Sequence, residues 1–452
     1  MQLAPETPPD IYHPADGLSY LFLDFNAYFA SVEQHDHPEL RGRPVIVTPL
    51  KSEYTGAIAA SYEAKAFGIK RGTKVRDARI LCPDIAVMPA RHDRYVEMHK
   101  ILMQEIERHL PLVKIYSIDE AAYRLSRSER KPAPAIETAR RIKHALADNV
   151  GQALRASIGL ASTTLLAKLA AERVKPDGLT VLELGDLPGK LADMPLTDIP
   201  GVGAGVAARL ARAGVTSFTA LWNLQPKHAR AIWGSVMGER FWYGLHGYDT
   251  ADEPTKKSMI GHSRVLTKDH EPPARARIVA RALLLKAASR LRHYAMHASG
   301  LSVSLRLRPE GRWEARRRFV HSQDSFRFLN ALDEMWADYL DYCQTDGDGA
   351  RIGGVTVYLH GLARPEDIVM QQGDLFASAA CERGNDKRAR LWRAVDRMNA
   401  DQDAKFRKLS GAEKSAPHRR QVGLASQSGL DLNYLGAKIA FARVPDEAEF
   451  LY

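Results

Sequence analysis

The chain has 452 residues, 45% hydrophobic and 26% charged, the balance of a globular protein long enough for several domains. Its net charge of +10 suits a polyanionic partner, because binding phosphates releases their counterions. Three widely spaced cysteines (Cys82, Cys343, Cys381) argue against a disulfide framework or a Cys-x-x-Cys zinc site, and no secretory leader or bilayer-length apolar run is present, so a cytoplasmic protein with no membrane partner is expected.

Residues 1–17 are Pro-rich and polar and read as a loose tail. The apolar run Leu18–Leu23 reads as a strand ending on Asp24, and Asp24-Phe-Asn-Ala-Tyr-Phe-Ala-Ser-Val-Glu33 turns from strand to helix. Arg43–Thr48 is a second strand with Val45, Ile46 and Val47 inside. Tyr62 and Lys65 stand three apart, on one face of a helix. Val96, Ile101, Leu102, Ile106 and Leu110 recur at helical spacing from Tyr95 to Leu110.

The run Leu112-Val-Lys-Ile-Tyr116 reads as a buried strand, and Asp119 and Glu120 follow it side by side. Neighbours on a strand face opposite ways, so both acids can serve one site only where the strand ends or bends. Unpaired carboxylates are costly to bury, and a divalent cation is the usual compensation. Hard oxygen ligands suit Mg²⁺. Acids on separate strand ends are how a metal-dependent phosphoryl-transfer site is built, with paired cations roughly 3.5–4 Å apart.

Ala135–Val150 is a helix, Arg155–Leu160 a strand, and Thr163–Lys175 a helix stopped by Lys175-Pro-Asp-Gly178. Ile199-Pro-Gly-Val-Gly203, followed by Val206–Arg212, reads as a helix–hairpin–helix. Gly201 and Gly203 there let backbone N–H groups approach a phosphate. Residues 251–261 read as a charged tether. An α/β unit follows, with strands Ser258–Leu266, Leu301–Arg308, Arg316–Val320 and Gly354–Leu359 and helices Arg275–Tyr294 and Ser325–Tyr342. Period-two alternation turns Arg306 and Arg308 outward, and Arg316, Arg317 and Arg318 lie on the next strand, a cluster suited to DNA phosphates. Arg383–Lys408 is charged with a helical cast, and Ser410–Ser428 is polar.

Six segments resemble, in this order, the motifs of the Y-family translesion DNA polymerases of the DinB/UmuC type. They are Asp24–Glu33, Tyr62-Glu-Ala-Lys-Ala-Phe-Gly-Ile-Lys70, Tyr116-Ser-Ile-Asp-Glu-Ala121, Ser157-Ile-Gly-Leu160, Lys175–Gly178 and Ile199–Gly203. The resemblance spans roughly residues 18 to 360. It implies an α+β multidomain right-hand polymerase. The palm would be 18–54 and 91–185, the small fingers 55–90, and the helical thumb with its helix–hairpin–helix 186–250. The linker would be 251–261, the α/β little finger 262–362 and the C-terminal tail 363–452.

The same resemblance assigns roles. Asp24, Asp119 and Glu120, with the backbone carbonyl of Phe25, would hold two Mg²⁺ ions. Phe29 would pack under the sugar and reject ribonucleotides, with Tyr28 beside it. Tyr62, Lys65 and Lys175 would hold the triphosphate. Lys65 stands where arginine is commoner, and so offers charge without a bidentate fork; Ala59 stands where threonine is frequent. Gln372, Leu375 and Phe376 resemble the clamp-binding pentapeptide read by the bacterial sliding clamp.

The expected function is template-directed, low-fidelity addition of dNTPs to primer–template DNA across lesions, in DNA repair and the SOS response. In the UmuC-like branch other mutagenesis subunits join. The rival is a non-catalytic DNA- and clamp-binding scaffold, which the presence of all three acids argues against.

Overall fold

A computed structural model of the chain describes residues 12–49, 52–250, 257–345, 351–368 and 387–398. They fall into two compact units, one running to Glu253 and the other beginning at Pro254.

The first unit is built on a five-stranded sheet. Its order is Leu112–Ile115, Glu120–Arg124, Tyr20–Phe25, Ala156–Ala161, Leu179–Leu182. Tyr20–Phe25 is central and buried along its whole length, apolar but for Asp24. It runs antiparallel to both neighbours. Helix Thr164–Arg173 packs across it and across Ala156–Ala161, burying Leu166, Ala167, Leu169 and Ala170. Thr163 caps that helix by accepting from the Leu166 N–H at 3.2 Å.

Two expectations change here. Among the described residues Leu112–Ile115 is an edge strand, with Val113 and Ile115 exposed together on one face. And the segment read as a loose tail carries a strand, Tyr12–Pro14, paired antiparallel with Tyr248–Thr250. Tyr12 is buried there, its ring stacked 3.9 Å from that of Tyr243.

A small sheet, Ala59–Ala60, Val45–Thr48, Ala86–Pro89, carries helices Tyr62–Ala66 and Val75–Leu81. Its core is compact because alanines at 57, 60, 64 and 78 let the backbones approach. Four helices follow later: Ala204–Arg212, Phe218–Trp222, Pro226–Trp233 and Val236–Leu245. Gly201 turns the hairpin ahead of them with φ +89°, a conformation that favours glycine. The element before this hairpin is only a 3₁₀ turn, Leu196–Asp198.

The second unit is a four-stranded antiparallel sheet, ordered Met259–Val265, Arg351–Ala363, His297–Arg308, Arg312–Ser322, with helices Pro273–His293 and Ser325–Thr345 on one face. Arg312–Ser322 alternates faces. Trp313, Ala315 and Phe319 pack on the core, while Arg316 and Arg318 stay exposed. Arg317 shares the inner set and does not join the exposed arginines: it pairs with Asp338 and, at 3.9 Å, with Glu334 on the helix. Helix 387–398 docks on the same unit through Trp392, which is buried and donates to Asp324 at 3.2 Å.

Candidate active site

The floor of the site comes from pairing register. In the antiparallel pair of strands Tyr20–Phe25 and Glu120–Arg124, Asp24 lies directly opposite Glu120. The Phe25 N–H donates to the Asp119 carbonyl at 2.8 Å, holding the turn before Glu120 against the central strand. Asp24 therefore meets the distant pair Asp119 and Glu120 without any strand having to bend both neighbours to one face: Glu120 begins a strand, and Asp119 ends the turn that enters it.

They face a cleft of about 580 Å³ whose lining includes Asp24, Phe25, Tyr28, Phe29, Tyr62, Lys65, Asp119, Glu120 and Lys175. All eight residues expected at the metals and nucleotide, together with the Phe25 carbonyl position, are thus brought to one cavity. Carboxylate oxygens of Asp24, Glu120 and a fourth acid, Glu172, lie within 4.8 Å of one another. Asp119 lines the same cleft with one oxygen held by the Ser117 hydroxyl at 2.5 Å. The donor set is all hard oxygen, with no cysteine or histidine in that cluster, which fits a hard divalent cation such as Mg²⁺.

Two lysines answer these acids. Lys175 donates to Asp24 and to Glu172, each at 2.8 Å. Lys168 donates to Glu120 at 2.6 Å. Burial pushes the Asp24 carboxyl up to about 7 against the pull of Lys175. Burial likewise raises Asp119, with the Ser117 hydrogen bond opposing it. Burial alone would lower Lys175, but Asp24 and Glu172 outweigh it and hold the ammonium above its ordinary value.

The aromatic wall is packed rather than loose. Phe29 stacks on Tyr95 with ring centroids 4.3 Å apart, and the Tyr28 hydroxyl donates to the Tyr95 carbonyl at 2.6 Å. Opposite, helix Tyr62–Ala66 is capped by Ser61 and presents Tyr62 and Lys65 together. The Lys65 ammonium lies 3.9 Å from the Tyr62 ring centroid. Burial, then the charge of Lys175, lowers Lys65.

A family model described as the impB/mucB/samB family matches residues 23–172. A DNA polymerase IV of Moorella thermoacetica is 34% identical over 393 residues, covering 84% of this chain and 92% of that one. The chain belongs to the Y family of DNA polymerases. A second DNA polymerase IV, from Halorhodospira halophila, is 33% identical over 294 residues, covering 63% of this chain and 80% of its own. Among solved structures, a Y-family polymerase chimera of Dbh and Dpo4 superposes with a TM-score of 0.63 at 20% identity, spanning 77% of this chain and 100% of the chimera. This Y-family chain is a DNA-directed DNA polymerase with the multidomain α+β right-hand fold.

Four polar residues at the cleft escaped the sequence reading: Ser117, Lys168 and Arg71, which line it, and Glu172, whose carboxylate lies beside those of Asp24 and Glu120. Lys168 and Glu172 are four apart on one helix, the spacing that puts both on a single face; that signal was present. Ser117 and Arg71 carried none. Among the described residues no helix is long and apolar enough to cross a membrane.

Proposed function

We propose that this polymerase copies past damaged template bases at low fidelity, in DNA repair and the SOS response, by metal-dependent phosphoryl transfer. The convergence of Asp24, Asp119 and Glu120 on one cleft carries the reading. Two magnesium ions would be held by these carboxylates and the Phe25 carbonyl; bound there, they would neutralise the reacting phosphates and activate the attacking hydroxyl.

The chain's own groups do the rest by position and charge. Tyr62, Lys65 and Lys175 take the triphosphate, Lys175 exchanging its carboxylate partners for phosphate oxygens. The primer 3′-hydroxyl oxygen bonds to the α-phosphorus as its proton passes to water, the bond from the α-phosphorus to the α–β bridging oxygen breaks, and pyrophosphate leaves. Phe29, held rigid by its stack on Tyr95, presents a ring edge where a 2′-hydroxyl would collide, with Tyr28 bracing it. Gly201 and Gly203 bring backbone N–H groups to DNA phosphates, and Arg306, Arg316 and Arg318 offer further contacts; Arg308 and Arg317 do so only by leaving Glu271 and Asp338.

The subdomain limits follow the expectation above: palm 18–54 and 91–185, fingers 55–90, thumb 186–250, little finger 262–362. Gln372, Leu375 and Phe376 lie outside the described residues, and a bacterial sliding clamp is proposed as their partner on the pentapeptide alone. The protein would work in the cytoplasm.

Primer extension on undamaged and abasic templates tests this. Wild type adds dNTPs with Mg²⁺ and passes the abasic site, and Asp119→Ala does neither. A wild type inert on both templates, with clamp present, leaves the scaffold reading standing instead.

A further inference from the structure

The cleft holds a cation to which the proposed reaction gives no task. Lys168 sits on helix Thr164–Arg173, only 21% exposed, with its ammonium 2.6 Å from Glu120 Oε1. The same ammonium lies 5.2 Å from the centroid of the Phe22 ring and 6.0 Å from that of Tyr116. Two aromatic faces and one carboxylate make a seat for a partly desolvated ammonium. The seat is built into the fold: Phe22 belongs to the central strand, and the helix is held against that strand by its buried Leu166, Leu169 and Ala170.

Lys175 differs from it. Lys175 bridges Asp24 and Glu172 and, on the proposed mechanism, moves to the triphosphate. Lys168 rests on rings that stay in place, so its charge remains beside Glu120 whether or not nucleotide is bound.

We propose that Lys168 is a positioning residue acting through Glu120: a resident counter-ion that aims this carboxylate into the cleft and competes with a divalent cation for it. The inference rests on the metal-binding reading above. A fixed positive charge in contact with a ligand oxygen weakens the hold of that oxygen on a second cation. The lysine therefore keeps the nucleotide-free site from retaining metal tightly, and sets how much metal the polymerase requires.

Binding of Mn²⁺ to the full-length protein, without DNA or nucleotide and followed by electron paramagnetic resonance, tests it. Lys168→Met keeps the apolar stem on the rings and removes the charge. It is expected to bind Mn²⁺ on the order of tenfold more tightly than wild type. It should also reach half-maximal primer extension at a lower Mg²⁺ concentration. Lys168→Arg, which keeps the charge, should stay within about twofold of wild type on the same measure. Mn²⁺ affinity that is unchanged or weaker in Lys168→Met overturns the proposal, and Lys168→Gln gives the same comparison should the methionine variant fold poorly. Failure of the underlying reading looks different: Asp24→Ala and Asp119→Ala would then bind Mn²⁺ as wild type does, and both the metal site and the role of Lys168 fall together.

Discussion

Adding one methyl group at Gly159 should disturb both the stability and the chemistry of this polymerase. Gly159 lies on strand Ala156–Ala161, under helix Thr164–Arg173. A Cβ built there would overlap the Ala167 carbonyl oxygen and the Ala171 nitrogen, and would stand 2.8 Å from the Ala170 Cβ. Carbon atoms pack best at about 3.5–4.0 Å, so the helix must retreat by roughly 1 Å. The overlapping atoms are backbone and cannot rotate aside. Overpacking of a filled core costs about 1–3 kcal/mol, and this site belongs at the upper end.

At about 2–4 °C per kcal/mol for a unit of this size, the melting temperature should fall by roughly 6–12 °C. The same helix aims Lys168 at Glu120 and carries Glu172, the partner of Lys175. A 1 Å misplacement of such groups can cost on the order of 100-fold in rate. Thermal unfolding of the intact chain, and single-turnover extension well below the melting temperature, read the two effects. Gly189→Ala is the control, because nothing lies within 4 Å of a Cβ there and its backbone needs no glycine. A Gly159→Ala protein that melts within about 1 °C of wild type and extends at the wild-type rate would refute the claim that this glycine sets the helix–sheet spacing.

Three further outcomes are expected. Burial raises Asp24 from its ordinary 3.8 to about 7, so the metal-free fold prefers the protonated acid. That preference is fully present below 3.8 and is lost as pH rises through about 7, so metal-free wild type should lose stability between about pH 4 and about pH 7 relative to Asp24→Asn; parallel melting curves across that range contradict the argument. Arg316→Ala and Arg318→Ala should each flatten the salt dependence of DNA binding by about one unit of slope, whereas Arg317→Ala should not, because its guanidinium is engaged by Asp338. Trp392→Ala should release helix 387–398, leaving two ion pairs, Asp396 with Arg292 and Arg388 with Asp324, as its charged tethers; amide exchange across those residues should accelerate by on the order of 100-fold, and unchanged protection would show that the ring is not the anchor.

Much of this polymerase is written locally. The periodicities that mark Tyr20–Phe25, Thr164–Arg173, Pro273–His293 and Ser325–Thr345 lie within each segment, and those elements form close to where the pattern puts them. The three cleft acids were legible too, since Asp24 and Asp119-Glu120 stand at the ends of recognisable runs.

What tertiary structure decided is which ends meet and which way each side chain faces. The register that sets Asp24 opposite Glu120 is a long-range choice, made by burial of the central strand on both faces. The same choice leaves Leu112–Ile115 at the edge, where its apolar residues stay exposed, although their run reads as buried. Tyr12–Pro14 becomes a strand only because Tyr248–Thr250 offers it a partner. Three consecutive arginines, Arg316 to Arg318, look equivalent as letters, and the pleat sends the middle one to an acid on the helix layer. Lys168 and Glu172 join the site because Gly159 lets their helix lie close on the sheet. No residue's own propensity encodes that distance, since it is set by the atoms of two segments meeting in space.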